Sequence, residues 1–211
     1  MSLYDERLSK KGHPAREIYD SLRAAAKFNI CPLCGQRQVA SLDHYLPKSS
    51  HPLFAITPIN LVPCCSDCNK AKLAEVGTDE ASQTFHPYFD DFDDGVWLVA
   101  RVVEENPPAV LFSVASPDDW NEIKARRASH HFSLLGLAEL YGSNAAQELA
   151  QIAEGLKELR EASGPDEVRR HLEHQASSRG ANGLNSWQAA MYAAVARSEW
   201  FWQGGHLNIQ T

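Results

Sequence analysis

The sequence has no long run of apolar residues, no internal repeat and no low-complexity tract. A membrane-spanning helix needs about 20 consecutive apolar residues, so we expect no membrane span. The N-terminal stretch MSLYDERLSKKGHP is charged and polar, and it lacks the apolar segment of a signal peptide. These absences predict a cytoplasmic protein with reduced thiols.

An excess of positive charge is also missing. The 211 residues carry 20 Lys and Arg against 27 Asp and Glu, a net charge of −7, whereas proteins that bind duplex nucleic acid usually present basic faces. The deficit is uneven, because residues 1–80 hold 10 basic and 9 acidic side chains while residues 81–211 hold 10 and 18. Weak binding to bare nucleic acid would fit delivery by a partner protein.

Cysteine is scarce, but four of the five cysteines form two Cys-x-x-Cys pairs, Cys31/Cys34 and Cys65/Cys68. Two intervening residues let one tight turn present both thiolates to a tetrahedral Zn²⁺ ion. Disulfides are the weaker alternative, because the number of cysteines is odd and no signal peptide is present. We therefore expect these four cysteines to hold a structural zinc ion.

The neighbouring Cys64 complicates the choice of ligands. Zinc also accepts the spacing of Cys64 and Cys68, so spacing alone does not exclude this pair. Cys65 repeats the two-residue interval of the first pair and is the preferred ligand. Cys64 is then most simply a small buried hydrophobic residue beside the site.

Three polar residues lie between or just after the pairs. Residues 38–42 are expected to form a short strand, which places Asp43 and His44 at its end. Residues 66–76 contain helix formers and no breaker before residue 77, so Asn69 should lie in the first turn of a helix. If both cysteine pairs hold one zinc ion, these three side chains can converge on a second, catalytic ion.

The order of these residues resembles the HNH endonuclease family, whose ββα-metal core sits in a treble-clef-like zinc frame. The family pattern is a zinc knuckle, Asp-His with a proline three residues on, Asn-Leu, and Cys-x-x-Cys followed by His or Asn and a Lys. The matching residues outside the cysteine pairs are Asp43, His44, Pro47, Asn60, Leu61, Asn69 and Lys72. The match covers about residues 14–76, roughly a third of the chain.

The resemblance implies a role for each matched polar residue. His44 would be the general base, and Asp43 would ligate the catalytic divalent metal. Asn60 would support the loop that carries the base, and Asn69 would be the second metal ligand. Asn in place of His makes this an H-N-N variant and suggests Mg²⁺ or Mn²⁺ as the catalytic cofactor.

The chemistry of phosphodiester hydrolysis agrees with these roles. A neutral histidine with a pKa near about 6.5 can deprotonate water at neutral pH, and a hard cation can stabilise the phosphate and the leaving oxygen. Lys72 follows Asn69 by one helical turn and is expected to contact the phosphate. Three further residues are candidate substrate contacts: Lys48, His51 and His86. Of these, His51 is the main rival of His44 for the proton.

The flanking segments have ordinary patterns. Residues 14–28 are predicted to form a helix, with Tyr19, Phe28 and Ile30 in the core around the zinc unit. Residues 77–94 are polar and acidic and predict a linker or a wrapping loop.

The second half begins with two β-rich runs and continues with helices. Residues 96–103 and 109–115 flank a proline-containing turn and predict an antiparallel pair. A first helix is expected from a cap at Asp118 or Asp119, and a second from Ser143 or Asn144. Further helices are expected after the Gly164-Pro165 break and after a cap at Ser186.

We therefore expect an α+β protein in which a zinc-stapled ββα-metal nuclease core, residues 1–80, precedes a β hairpin and helical region, residues 81–211. The expected function is metal-dependent hydrolysis of DNA, in bacterial defence or in a mobile element. One alternative is a non-catalytic zinc module that binds nucleic acid or a partner protein. Another is an RNA-directed nuclease, because neither the base nor the metal identifies the sugar.

Overall fold

The computed structural model describes residues 3–72, 77 and 79–210. The chain is mixed α+β, as predicted, and divides into two compact units, Met1–Asp90 and Asp91–Thr211. Among the described residues, no helix has both the length and the apolar character that crossing a membrane requires.

The main elements in the described part of the first unit are an N-terminal helical turn, two α-helices and two strands. In chain order these are the turn Tyr4–Leu8, α1 (Arg16–Ala24), β1 (Ser41–His44), β2 (Leu61–Cys64) and α2 (Ser66–Lys72). The strands pair antiparallel, with Ser41 opposite Cys64 and His44 opposite Leu61. This register brings the end of β1 beside the start of β2, and the chain enters α2 directly after β2.

The hydrophobic core of the first unit packs against one face of β1. Five buried side chains pack together here: Tyr4, Leu8, Tyr19, Leu42 and Leu61. Successive side chains of a strand point to opposite faces. Because Leu42 enters this core, Ser41 and Asp43 lie on the opposite face of β1.

Helix α1 ends earlier than expected, at Ala24 rather than at residue 28. Phe28 and Asn29 take left-handed backbone angles, with φ of 56° and 59°, and turn the chain toward the first cysteine pair. Phe28 is consequently 84% exposed, so its assignment to the core was wrong. The carbonyl of Asn29 accepts a hydrogen bond from Val39 N at 2.9 Å, which stabilises the turn.

The first strand lies further along the chain than the expected residues 38–42. Gln38 is used in an isolated bridge to Ile30, which closes the turn around the first cysteine pair. Pairing with β2 therefore starts only at Ser41. Asp43 and His44 are the last two residues of β1, and residues 73–76 of the expected helix 66–76 lie outside the described residues.

The first unit extends past the expected boundary at residue 80, because residues 86–88 are bound to the connection that precedes β2 and to β2 itself. The ring Nε2 of His86 is 3.1 Å from the carbonyl of Ile59, and the Tyr88 hydroxyl donates to the carbonyl of Leu61 at 3.0 Å. The segment after residue 80 is thus a wrapping loop of the first unit, and the division falls after Asp90.

The second unit contains one hairpin and five α-helices in its described part. They are β3 (Leu98–Val103), β4 (Ala109–Val114), α3 (Glu122–Leu134), α4 (Leu137–Ser163), α5 (Pro165–Gly180), α6 (Trp187–Arg197) and α7 (Glu199–Gln203). β3 and β4 pair antiparallel, as predicted. The core of this unit includes large side chains that are almost fully buried: Leu149, Leu156, Leu172, Met191, Tyr192 and Phe201.

Two helix starts differ from the expected ones. Asn121 caps α3 by accepting a hydrogen bond from Lys124 N at 2.8 Å, so neither Asp118 nor Asp119 is the cap. Helix α4 starts at Leu137, because Gly136 takes a left-handed conformation, with φ of 60°, and separates it from α3. The break at Gly164-Pro165 and the cap at Ser186 are confirmed.

Candidate metal centre

Each cysteine pair is formed by a tight local turn. In the first, Cys31 N donates to the carbonyl of Arg37 at 2.8 Å, and Gly35 N donates to the carbonyl of Cys31 at 2.8 Å. Gly35 has a φ of 63°, a value that glycine adopts without strain. In the second, the backbone N–H of Cys68 points at Cys65 Sγ, 3.4 Å away, in the first turn of α2.

The two turns bring four thiols together. The sulfur atoms of Cys31, Cys34, Cys65 and Cys68 all lie within 4.8 Å of one another, and all four residues are buried. Four sulfurs at such separations suit a tetrahedral site with zinc–sulfur bonds of about 2.3 Å. The predicted set of four zinc-ligating cysteines is therefore brought together, and these residues are able to hold a zinc ion.

The electrostatics of the cluster also favour a cation. Hydrogen bonding from Cys34 lowers the pKa of Cys31, whereas Cys31 raises the pKa of Cys34 to about 11. Cys31 also raises the pKa of Cys68. The thiolate of Cys31 is thus stabilised, while its neighbours are kept protonated. A divalent cation would offset the repulsion between thiolates, so that several could be deprotonated together.

Cys64 lies beside the four-thiol set and is not a member of it. As the last residue of β2 it is fully buried, and its carbonyl accepts a hydrogen bond from Ala40 N at 2.9 Å. The nearby Cys31 sulfur and burial both raise the pKa of Cys64. The choice of Cys65 over Cys64 from the sequence agrees with this geometry.

Asp43 and Lys72 form a buried ion pair. Lys72 Nζ lies 2.5 Å from Asp43 Oδ2, and the two side chains are 9% and 7% exposed. The ammonium also lies 4.8 Å from the centroid of the Tyr45 ring. Burial raises the pKa of Asp43, and the charge of Lys72 offsets part of that increase.

This pair gives Lys72 a partner that the sequence did not predict. The sequence placed the lysine beside Asn69 with its ammonium available to a phosphate. In the structure, the ammonium of Lys72 donates a hydrogen bond to the carboxylate of Asp43, which was expected to bind a divalent metal. Because Lys72 lies on α2 and Asp43 lies on β1, this ion pair links the helix to the strand.

Asn69 contacts Ser41, the residue two positions before Asp43 on β1. Its side-chain Nδ2 donates to Ser41 Oγ at 3.0 Å. Ser41 precedes Asp43 by two residues and shares its face of β1. Side chains that carry carboxylate, hydroxyl and amide groups therefore lie on one side of β1, and the oxygens of such groups are the ligands that Mg²⁺ and Mn²⁺ prefer.

His44 is held in one orientation by the backbone. Its Nε2 lies 2.9 Å from the carbonyl oxygen of Ala55, and because a carbonyl can only accept, Nε2 carries the proton. The ring packs edge-on against Tyr4, with centroids 4.4 Å apart. Partial burial lowers the pKa of His44, so the neutral imidazole is favoured, with its lone pair on Nδ1.

Asn60 ties down the loop that supplies this carbonyl. Its Oδ1 accepts a hydrogen bond from Leu46 N at 2.7 Å, and its Nδ2 donates to the carbonyls of Leu46 and Phe54, both at 3.1 Å. The side chain is 5% exposed. It therefore joins both ends of the segment between His44 and Ala55.

The three candidate substrate contacts have different surroundings. The ammonium of Lys48 binds both carboxylate oxygens of Asp5, at 2.7 and 2.8 Å. His51 Nδ1 is buried and has no hydrogen-bond partner among the described residues. His86 is buried, and both of its ring nitrogens are hydrogen bonded, to Ile59 O and Tyr88 N, so the geometry gives it a packing role.

Several residues of this centre were not found from the sequence. Tyr4 and Asp5 contact His44 and Lys48 from the N-terminal turn, and no sequence signal links them to the motif. Ala55 contributes only its carbonyl, which any residue possesses. Ser41 could have been found, since the period of a strand places it on the same face as Asp43.

These features define the class of the molecule as a mixed α+β protein with four buried cysteines placed so that they could hold a metal ion. No family model and no solved structure matches the chain. The chain is 34% identical to Protein ea31 of Escherichia phage lambda over 216 aligned positions, which cover 96% of this chain and 73% of the phage protein. The chain therefore belongs to the same family as the phage lambda protein.

Proposed function

We propose that this protein is a metal-dependent HNH endonuclease that hydrolyses DNA phosphodiester bonds. The observation that carries the proposal is the arrangement of His44, whose Nε2 is bound to Ala55 O at 2.9 Å and which directly follows the buried Asp43 in β1. A neutral imidazole held in one orientation suits a water-activating base, and the carboxylate of the preceding residue suits a cation.

His44 is the general base in this proposal. The hydrogen bond from Nε2 to the carbonyl fixes the tautomer and leaves Nδ1 to take a proton from water. The carbonyl also stabilises the imidazolium that forms, since its oxygen accepts a hydrogen bond from the charged ring. The three hydrogen bonds of Asn60 keep this carbonyl in place.

Asp43 and Asn69 would hold the catalytic divalent cation, Mg²⁺ or Mn²⁺. Bound there, it would act as a Lewis acid on the phosphate and the leaving 3′ oxygen. The oxygen donors on this face of β1 fit a hard cation, and the Lys72 ammonium already shows that a positive charge is favoured at Asp43. By the chemistry of the HNH family, the products carry a 5′ phosphate and a 3′ hydroxyl.

The four-cysteine centre has a separate, structural role. A zinc ion shared by Cys31, Cys34, Cys65 and Cys68 would link the turn before β1 to the first turn of α2. Asp43 on the strand and Asn69 on the helix are positioned by that link. Zinc is therefore proposed as a structural cofactor and the second cation as the catalytic one.

The setting that we propose is bacterial defence or a mobile element, in the cytoplasm, where thiols stay reduced. The origin of the similar Protein ea31 in a phage supports a mobile element. The net charge of −7 supports delivery to DNA by a partner protein.

The test is cleavage of plasmid DNA by zinc-loaded protein with added Mg²⁺ or Mn²⁺. His44→Ala should abolish nicking and linearisation while keeping its zinc, because the base lies outside the thiol site. His174→Ala replaces an exposed histidine of α5 and should cut like the wild type. Equal cutting by wild type and His44→Ala would refute His44 as the base, and His51→Ala would then test the rival.

A specific observation favours one alternative, a non-catalytic zinc module that binds nucleic acid or a partner protein. The Lys72–Asp43 pair satisfies the buried carboxylate without any second metal. This alternative predicts zinc-dependent binding and no cutting with either cation. Parallel reactions with RNA separate the third candidate, an RNA-directed nuclease, from the DNA enzyme.

A further inference from the structure

The buried ion pair between Lys72 and Asp43 has a consequence for how a second cation can bind. Nζ and Oδ2 are 2.5 Å apart, and both side chains are at least nine-tenths buried. A carboxylate in such surroundings needs a positive partner, because burial of an unpaired charge is strongly unfavourable. Here the lysine supplies that partner and stands in for a metal ion.

An ammonium on this carboxylate disfavours a divalent cation at the same site. Two positive charges a few ångströms apart repel strongly in surroundings with little water. Entry of Mg²⁺ or Mn²⁺ at Asp43 therefore favours displacement of Lys72. Its four-carbon stem is flexible enough to move while α2 stays in place.

The displaced ammonium needs a new anionic partner. A phosphodiester that approaches the metal brings negatively charged oxygens to this end of the first unit. Resting on the proposed nuclease function, we propose that Lys72 is an exchangeable cation that neutralises Asp43 in the free protein and passes to the substrate phosphate when a divalent metal binds. Metal and nucleic acid then bind in a linked manner, because each favours the state in which the ion pair is open.

The experiment measures Mn²⁺ affinity by titration calorimetry, with and without a short DNA duplex. All proteins are full-length, zinc-loaded and carry His44→Ala, which prevents cleavage during the titration. Lys72→Met removes the competing charge and keeps the length of the side chain. Lys70→Met is the matched control, since Lys70 is an exposed lysine of the same helix.

Lys72→Met should bind Mn²⁺ at least about fivefold more tightly than the Lys70→Met control in the absence of DNA, as typical coupling between sites suggests. The increase in Mn²⁺ affinity that DNA produces should be smaller in Lys72→Met than in the control. Equal or weaker Mn²⁺ binding by Lys72→Met would overturn the proposal. An unchanged effect of DNA would also overturn it.

Lys72→Arg keeps the charge and guards against misfolding of Lys72→Met. Its guanidinium can pair with the carboxylate through two hydrogen bonds, so Mn²⁺ affinity should fall below that of the control. A rise in Mn²⁺ affinity would contradict the exchange.

The outcomes also separate this inference from the proposed nuclease. Plasmid cutting by the wild type together with equal Mn²⁺ affinity in Lys72→Met and Lys70→Met would refute the exchange alone. Absence of Mn²⁺ binding in every titrated protein, together with no plasmid cutting by the wild type, would refute both proposals.

Discussion

At the scale of single residues, the protonation of His44 is the property with the clearest consequence. Burial lowers its pKa below the ordinary value of 6.5, so the folded protein keeps the imidazole neutral to lower pH than a free histidine. If His44 is the base, the cleavage rate should fall only below about pH 6.5, as the ring becomes protonated.

The rate of plasmid cleavage at saturating Mg²⁺, measured across the acid range, checks this expectation. An inflection at or above pH 6.5 would mean that the group being titrated is not the desolvated ring of His44. The same profile for His51→Ala serves as the control, and it should match the wild type.

Asn60 is the second residue whose replacement has a definite expected effect. Asn60→Asp keeps the acceptor for Leu46 N but turns a carboxylate oxygen toward the carbonyls of Leu46 and Phe54. Both carbonyls lose a donor, so unfolding of the first unit should become easier by about 2 kcal/mol or more. Release of zinc to a colorimetric chelator in increasing urea measures this change.

The control for Asn60→Asp is Asn182→Asp at an exposed position. The Asn182 side chain makes a hydrogen bond to Ser178 O at 3.2 Å. Its replacement should change zinc release by less than about 0.5 kcal/mol. Equal effects of the two substitutions would show that the loop does not depend on Asn60.

At the scale of elements, the junction of β2 and α2 contains adjacent cysteines with different roles. Cys65 belongs to the four-thiol set and Cys64 does not. Cys65→Ser should therefore lose zinc and unfold the first unit, because a structural zinc ion supplies much of the folding free energy of a small unit. Cys64→Ser should keep one zinc ion per chain.

Zinc content by atomic absorption after gel filtration distinguishes the two variants. The comparison is matched, since both substitutions exchange a buried sulfur for a hydroxyl one residue apart. Loss of zinc from Cys64→Ser with retention in Cys65→Ser would reverse the assignment of the ligand.

At the scale of the whole molecule, the two units are stabilised in different ways. The first unit encloses the four-cysteine centre, whereas the second has an extensive core that includes Leu172, which is fully buried. All five tryptophans lie in residues 91–211, so their fluorescence reports on the second unit alone. Chelation of zinc should leave the urea transition seen by tryptophan unchanged.

Leu172→Ala is the complementary variant, because it weakens the core of the second unit and leaves the cysteine centre unchanged. Truncation of a fully buried leucine should lower the free energy of unfolding seen by tryptophan by about 2–5 kcal/mol, while zinc content stays at the wild-type level. If chelation shifted the tryptophan transition as much as Leu172→Ala does, the two units would unfold as one.

Local patterns predicted many of the elements and failed where the chain turns. The hairpin of β3 and β4, the cap at Ser186 and the break at Gly164 depend on neighbouring residues and were confirmed. The end of α1 was wrong because Phe28 takes a left-handed conformation that helix propensity does not predict for this residue.

The sequence by itself determined the composition of the four-cysteine centre. Two Cys-x-x-Cys pairs can each form a metal-binding turn from local geometry alone, and the repeated spacing favoured Cys65 over Cys64, which the structure confirms. The Asp43-His44 dipeptide at a strand end was likewise a local inference, because a strand of this length must end before Pro47.

Only the tertiary structure decided what these residues contact. Lys72 and Asp43 are 29 positions apart and meet because β1, β2 and α2 fold together around the cysteine centre. The carbonyl of Ala55 reaches His44 because the side chain of Asn60 closes the intervening loop. Such contacts depend on where the fold places two distant segments of the backbone. The type of one residue does not predict which distant residue it will contact.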